Sequence, residues 1–160
     1  MSTQDAQRPS APRLEGAAPH MLIVRAPYYT AIVDGLRDGA AQILTEAGAT
    51  YDVLDVAGAL ELAAAVRLAL RGRRRYDGFV VLGCVVKGET DHYDFVCREA
   101  MAGITAVVLQ FGLCLGNGLL TVHDVKQAEA RSGRDGHNKG AEAAAAALRQ
   151  IAASRWLGAE

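Results

Sequence analysis

The chain has 160 residues, 51% of them hydrophobic, which predicts a single domain with a packed core. Its formal net charge of −1 excludes a general electrostatic attraction to nucleic acid or anionic membranes. The three cysteines lie far apart and form no C-x-x-C pair, so we expect reduced thiols rather than a metal site. No apolar run approaches the roughly 18 residues of a membrane span. With no signal-peptide pattern either, the sequence predicts a cytoplasmic location.

The first 20 residues predict an arm. They contain Pro9, Pro12 and Pro19 and no periodic apolar pattern, which is typical of a disordered or extended segment. We expect the folded domain to occupy residues 21–160, and the arm is free to pair with the sheet edge of a neighbouring subunit.

Strand and helix patterns alternate after the arm. Apolar runs predict strands over residues 21–24, 51–56, 79–86 and 113–122, and helical spacing predicts helices over residues 30–47, 62–70, 124–131 and 139–156. Residues 93–111 fit a helix, although the segment Ile104–Leu109 alone would suit a strand. The order β-α-β-α-β-α-β-α-α predicts a parallel sheet covered by helices on both faces.

The third strand runs into a polar cluster that predicts a functional site. The apolar run Phe79–Val86 is followed by KGETDH, which ends at His92. Ligands of open α/β sheets bind at the carboxyl ends of strands, and a histidine there suits general acid–base catalysis. The turn Gly88–Thr90 offers N–H groups and a hydroxyl to a phosphate, and Arg131 is one candidate for the accompanying cation. Alternatively, Thr90 or Asp91 caps the next helix and His92 is merely solvated.

Several common catalytic and binding motifs do not occur in the sequence. It has no G-x-x-x-x-G-K-[ST] phosphate loop, no G-x-G-x-x-G after the first strand, no G-x-S-x-G and no H-E-x-x-H. A metal site built on Asp91, His92 and Asp94 alone would be hard to close, so we expect no bound metal.

Four segments, in the same order, resemble the signature sequences of lumazine synthases. The longest is LGCVVKGETDHYD at Leu82–Asp94. The others are GALE at Gly58–Glu61, GLLT at Gly118–Thr121, and QAEARSG at Gln127–Gly133, which leads to NKG at Asn138–Gly140. Together the resemblance covers roughly residues 21–156, everything except the arm.

This resemblance implies a flavodoxin-like three-layer α/β/α sandwich with a four-stranded parallel sheet, and a helix from residue 93 to about 110. It also implies a homopentamer, or a shell of twelve pentamers, with active sites between neighbouring subunits. The implied activity is that of a transferase in riboflavin biosynthesis. It condenses 5-amino-6-(D-ribitylamino)uracil with 3,4-dihydroxy-2-butanone 4-phosphate to give 6,7-dimethyl-8-ribityllumazine, without a cofactor.

The resemblance also assigns roles to single residues. His92 corresponds to the proton-transfer histidine and Arg131 to the arginine that holds the phosphate. The implied substrate-binding residues are Glu89 and Thr90 for the butanone phosphate, Ala59, Leu60, Glu61, Cys84, Val85 and Val86 for the pyrimidine and its ribityl chain, and Tyr28 for stacking on the pyrimidine. Lys139 either adds positive charge near the phosphate or simply begins a helix.

The sequence departs from the family pattern at several positions. Ala57 and Ala63 replace usual prolines, Pro27 replaces a common arginine, and Asn117 stands where many members place phenylalanine over the pyrimidine. Fewer prolines predict a less rigid loop. Two other hypotheses therefore stay open: an oligomeric scaffold that binds flavin or lumazine with little or no catalysis, and a monomeric flavodoxin-like regulatory module.

Overall fold

The computed structural model describes residues 9–133 and 137–159. The elements are β1 (His20–Ala26), α1 (Thr30–Glu46), β2 (Thr50–Asp55), α2 (Glu61–Arg71), β3 (Gly78–Val86), α3 (His92–Phe111), β4 (Leu115–Val122), α4 (Val125–Ser132) and α5 (Lys139–Leu157). The predicted order of strands and helices is confirmed. The ambiguous segment is a helix, because Ala100, Ile104 and Val107 recur at helical spacing and are buried.

The four strands form one all-parallel sheet in the order β2-β1-β3-β4. This is the flavodoxin-like order without a fifth strand, and the strand order reverses between β1 and β3. The predicted flavodoxin-like three-layer sandwich is confirmed. Ligands of such sheets bind at that reversal, beyond the carboxyl ends of the strands.

Alternate residues of the central strands pack into two separate cores. Met21 and Ile23 belong to the core shared with α1 and α5. Leu22 and Val24 belong to the core shared with α2 and α3. Central parallel strands carry apolar residues on both faces because helices cover both sides. Helix α4 packs with α1 and α5, so α3 and α4 lie on opposite faces of the sheet.

Helix α5 packs very closely against α1 and β4. A Cβ atom at Gly140 would lie 1.9 Å from the carbonyl oxygen of Leu36, and one at Gly116 would lie 1.8 Å from that of Ala143. Both distances are far inside van der Waals contact with backbone atoms, so only glycine fits there. This close packing fixes the start of α5, which carries Lys139.

The helix ends follow the residue types expected there. Asp124 is the N-cap of α4 and accepts a 2.9 Å hydrogen bond from the N–H of Gln127, as predicted. Gly48 follows α1 with φ +73°, the left-handed conformation that glycine adopts without strain.

Residues 9–19 of the predicted arm contain no helix or strand, and residues 1–8 lie outside the described part of the chain. Ala11 and Leu14 pack against the core shared by α1 and α5. The Arg155 guanidinium donates hydrogen bonds to the carbonyls of Glu15 and Ala17. Pairing of the arm with a neighbouring sheet stays a prediction. Within the described ranges, no helix is both long enough and apolar enough to cross a membrane.

Candidate active site

A cavity of about 330 Å³ opens where the strand order reverses. We call it the His92 pocket. Its lining consists of Ala26, Tyr28, Tyr29, Gly58, Ala59, Leu60, Glu61, Cys84, Val85, Val86, His92 and Val96. The fold thus brings together His92 and the side chains predicted to hold the pyrimidine and its ribityl chain. Their catalytic and binding roles stay predictions.

The turn after β1 places an aromatic side chain at the mouth of the pocket. It is held by a 2.9 Å bond from the Tyr28 N–H to the Ala26 carbonyl and a 3.1 Å bond from the Thr30 hydroxyl to the Pro27 carbonyl. The Tyr28 side chain is 78% exposed and makes an edge-to-face contact with Tyr29, with ring centroids 5.2 Å apart. A face of Tyr28 is therefore open to a planar ligand.

The turn after β2 forms a second wall of the pocket from small residues. The N–H groups of Glu61 and Leu62 bond to the carbonyls of Gly58 and Ala59 at 3.2 and 3.3 Å. Glu61 begins α2, and its exposed carboxylate reaches back over Gly58, where a Cβ atom would lie 3.1 Å from Oε2. The turn therefore presents backbone, one apolar side chain and one acid to the cavity.

The end of β3 forms the floor of the pocket. Burial raises the pKa of the Cys84 thiol to about 11. The thiol is therefore protonated at neutral pH and is a poor nucleophile. His92 is the first residue of α3, and Val96 lies one turn further on the same side of the helix. Asp91 occupies the N-cap position but makes no side-chain capping bond, so its side chain does not cap α3.

A second cavity, of about 250 Å³, lies against the edge strand β4. We call it the Arg131 groove, and its lining consists of residues 117–122 with Arg131 and Lys139. The Arg131 guanidinium is half-buried and donates a 2.8 Å bond to the Gln127 carbonyl. Lys139 begins α5, and its Nζ lies 2.6 Å from Oε2 of Glu142. Lys139 thus starts a helix and lines the same groove as Arg131, whereas its contribution of charge near a phosphate stays a prediction.

Asn117 uses its amide within the subunit. Its Oδ1 accepts a 3.0 Å bond from the Leu119 N–H, and its Nδ2 lies 3.2 Å from Sδ of Met101. Both ends of the amide thus have partners on β4 and α3, while the residue itself stays exposed in the Arg131 groove.

The two cavities share no lining residue. His92 starts α3 on one face of the sheet, and Arg131 lies near the end of α4 on the other. The described lining of the His92 pocket includes no lysine or arginine. Glu89 and Thr90 lie in the exposed connection between β3 and α3, outside both linings.

The sequence placed Asn138 in a segment of the family resemblance but gave it no role, and the structure shows that it connects the elements that carry the Arg131 groove. Its buried Nδ2 donates to the carbonyls of Gly35, Ser132 and Gly133 at 2.8, 3.0 and 3.1 Å. Its Oδ1 accepts from the N–H groups of residues 140 and 141, so it is the N-cap of α5. An asparagine just before a helix is a recognisable capping signal. The side chain ties the end of α4, with Arg131, to the start of α5.

Tyr29 and Val96 also line the His92 pocket and were not predicted to do so. Val96 lies four residues after His92, the spacing that places two side chains on one helix face. That spacing was a usable signal. In the described part of the chain, no three histidine, cysteine, aspartate or glutamate side chains form a group that could hold a metal ion.

Residues 18–155 match the family model described as 6,7-dimethyl-8-ribityllumazine synthase. This chain belongs to that family. A relative named 6,7-dimethyl-8-ribityllumazine synthase 1, from Rhizobium meliloti (strain 1021), is 46% identical over 145 residues, which cover 88% of this chain and 95% of the relative. Relatives named 6,7-dimethyl-8-ribityllumazine synthase come from Agrobacterium fabrum and Paramagnetospirillum magneticum. Each is 46% identical over 144 residues, covering 88% and 86% of this chain and 97% and 96% of the relatives. The resemblance found in the sequence is confirmed.

Proposed function

We propose that this protein condenses 5-amino-6-(D-ribitylamino)uracil with 3,4-dihydroxy-2-butanone 4-phosphate to give 6,7-dimethyl-8-ribityllumazine, phosphate and water. The observation that carries the proposal is the family match over residues 18–155 of a chain whose His92 pocket lies at the ligand-binding edge of the sheet. In this proposal the His92 pocket holds the pyrimidine. Tyr28 stacks on the ring, and the turn at residues 58–61 and the end of β3 at residues 84–86 bind its polar edge and ribityl chain.

The proposed role of His92 is proton transfer. The 5-amino group attacks the ketone and forms an imine with loss of water. Loss of a proton from the neighbouring carbon then expels phosphate and leaves an enol, which becomes a ketone. The ribityl-bearing nitrogen attacks this ketone and closes the ring with loss of a second water. Each step moves protons on and off the reacting atoms, which an exposed imidazole at a helix start can do as a general acid and base. No strong nucleophile is needed, in keeping with the protonated thiol of Cys84.

Departure of the phosphate needs a fixed cation, and the proposed one is Arg131, assisted by Lys139. An arginine fork binds phosphate oxygens through charged hydrogen bonds. Because Arg131 and His92 belong to separate cavities on opposite faces of one subunit, we infer that the groove of one subunit completes the pocket of its neighbour. Glu89 and Thr90, on the exposed loop beside His92, would then meet the phosphate at the subunit interface.

The proposed assembly is a homopentamer or a multiple of pentamers. Large apolar side chains that a single subunit leaves exposed support an assembly of this kind, among them Leu68, Phe95, Leu109 and Phe111 on α2 and α3. A head-to-tail ring suits a site made from two different surface patches, since each subunit then gives its groove to one neighbour and receives another.

The test is a two-substrate assay on protein whose mass is measured by light scattering. We expect lumazine fluorescence to appear faster than in the uncatalysed mixture, from a species of several subunits. Product formation at the uncatalysed rate, where a reference lumazine synthase turns over, would refute the activity. A mass near the 16.9 kDa of one chain would refute the shared site.

One observation favours a second candidate, an oligomer that binds flavin or lumazine with weak catalysis. Asn117 stands in the Arg131 groove and, being an asparagine, adds no aromatic face to the bound ring. Both ends of its amide are already occupied within the subunit. Riboflavin titrated against the protein distinguishes the two. Tight flavin binding with negligible turnover supports the second candidate, whereas turnover like that of the reference enzyme removes it.

A further inference from the structure

A mostly buried arginine, Arg25, joins two strand ends whose following turns line the His92 pocket. The Arg25 side chain is only 12% exposed. Its Nε and Nη2 donate to the two carboxylate oxygens of Asp55 at 2.7 and 2.8 Å, and its Nη1 donates to Oδ1 of Asp34 at 2.7 Å. The hydrogen bond with Asp55 is the main reason that the pKa of Arg25 is raised and that of Asp55 lowered. A planar, bidentate contact of this kind fixes geometry as well as charge.

Main-chain contacts also join the carboxyl ends of β1 and β2. Arg25 is paired with Asp55 in the sheet register, and its carbonyl accepts a 2.7 Å bond from the Val56 N–H. Asp55 is the last residue of β2, and Asp34 lies on α1. Arg25 therefore fastens the carboxyl end of β1 to both the carboxyl end of β2 and the first helix.

Both turns that leave these strand ends line the pocket. The turn after β1 carries Tyr28, and the turn after β2 carries Ala59, Leu60 and Glu61. Ala26, the residue after Arg25, lines the pocket itself. Arg25 is not among the residues that line the cavity, and its guanidinium contacts Asp34 on α1, so we take it to act on the pocket through the backbone.

The sheet does not need a charge at this position. Met21 and Ile23, two and four residues earlier on the same side of β1, are fully buried apolar residues. The partner carboxylates of Asp34 and Asp55 are 42% and 49% exposed, and ion pairs with exposed partners add little to stability, so stability alone is a weak reason for Arg25. A second ion pair links nearby elements at the opposite end of the sheet, where Arg74 contacts Asp52 at 2.9 Å but is 76% exposed.

We propose that Arg25 is a positioning residue for the pyrimidine half of the site, because its contacts with Asp55 and Asp34 hold the Tyr28 turn and the 58–61 turn at a fixed separation. The proposal rests on the proposed function for its substrate. It assigns to Arg25 no contact with either substrate.

The kinetic test compares Arg25→Met with wild type and with Arg74→Met. We expect Arg25→Met to raise the KM for the ribitylaminopyrimidine about tenfold while kcat changes by about twofold or less, because misplaced positioning groups weaken binding of the ring they hold. The KM for the butanone phosphate stays within about twofold. Arg25→Lys restores only part of the affinity, since an ammonium cannot form the two-point contact.

Hydrogen exchange gives a readout that does not depend on turnover. In Arg25→Met the amides of Val56, Glu61 and Leu62 exchange faster than in wild type, since the turn that they close has lost its anchor. In Arg74→Met these amides exchange at the wild-type rate. If Arg25→Met does not fold, Asp55→Asn replaces it in the comparison with wild type and Arg74→Met. Asp55 is 49% exposed, and removing its charge leaves the contact between Arg25 and Asp34 intact.

The outcomes separate the two claims. Equal KM increases for both substrates, unchanged exchange in the 56–62 segment, or the same changes in Arg74→Met would each overturn the positioning role. If wild-type protein forms no lumazine, the proposed function fails. The exchange comparison still decides whether Arg25 holds the two turns.

Discussion

The His92 pocket and the Arg131 groove differ in both position and chemistry. The pocket lies at the strand-order reversal, is lined by aromatic and small residues, and includes no lysine or arginine in its described lining. The groove lies on the edge strand, and two cations occupy one side of it. The pocket therefore suits a planar ring and proton transfer, whereas the groove suits a phosphate.

Under the proposed function, this difference makes a single subunit incomplete as a catalyst. A reaction that joins a pyrimidine to a phosphorylated ketone needs both sets of groups within contact distance. Here α3 and α4 carry them on opposite faces of the sheet. A neighbouring subunit can reach the edge strand β4 and its groove, whereas it cannot reach a central strand. Assembly can therefore bring the groove of one subunit to the His92 pocket of another.

The largest expected effect is on chemistry in the His92 pocket. His92→Ala should lower kcat by tenfold to about 100-fold, since proton transfer is lost while substrate positioning survives. Its KM values should change little. Steady-state kinetics measure this, with His123→Ala as the control, because His123 is exposed and lines neither cavity. An unchanged kcat in His92→Ala would remove the proton-transfer role.

The next effect is on binding in the groove. Arg131→Ala should raise the KM for the butanone phosphate about tenfold, the size expected for losing a hydrogen bond to a charged group. The KM for the pyrimidine should change much less. Lys126→Ala, an exposed cation on the same helix, is the matched control. Equal losses in the two variants would mean that the groove acts by general charge and not through Arg131.

A smaller effect is expected on stability near the groove. In Gly140→Ala the new methyl group meets the Leu36 carbonyl, so the free energy of unfolding should fall by about 1–3 kcal/mol. Helix propensity alone predicts the opposite, a gain of about 1 kcal/mol for alanine. Urea denaturation decides between them, with Ala146→Gly on the exposed side of α5 measuring propensity alone. A stabilised Gly140→Ala would contradict the close packing of α1 and α5.

The smallest effect concerns the thiol of the pocket. With a pKa of about 11, Cys84 has a thiolate fraction of about one in a thousand at pH 8. Alkylation by iodoacetamide should therefore be slow at neutral pH and should accelerate as pH rises toward 11. Mass spectrometry of labelled peptides measures the rate, and Cys84→Ser identifies the peptide. Rapid labelling at neutral pH would reopen a nucleophilic role for Cys84.

Much of the fold was predictable because its signals are local. The strand runs, the helical spacing and the Asp124 cap each depend on residues within a few positions of one another. The segment around Ile104 was ambiguous because β-branched residues also favour strands, and only packing against the second core makes it a helix. The position of His92 at the end of a buried strand followed from the same local pattern.

Other features depend on contacts that the sequence pattern does not encode. The Arg25 cluster joins residues 30 and 9 positions apart, and nothing local distinguishes Arg25 from an exposed arginine. Asn138 carries a local capping signal, but nothing local predicts that its amide also reaches Gly35 across 103 residues. His92 and Arg131 are separated because α3 and α4 cover opposite faces of the sheet. The three-dimensional path of the chain, and not a local sequence pattern, determines the face that each helix covers.

Subunit complementation tests the shared site most directly. His92→Ala and Arg131→Ala chains carrying different tags are co-expressed, and oligomers that contain both are purified. In such oligomers an intact site forms wherever an Arg131→Ala subunit gives its His92 pocket to the groove of a His92→Ala neighbour. Random mixing makes about a quarter of the sites intact, so activity measured with butanone phosphate well below its KM, where both single variants are slow, should rise to roughly that share of wild type. Activity no higher than the mean of the two separate variants would contradict a site built from two subunits.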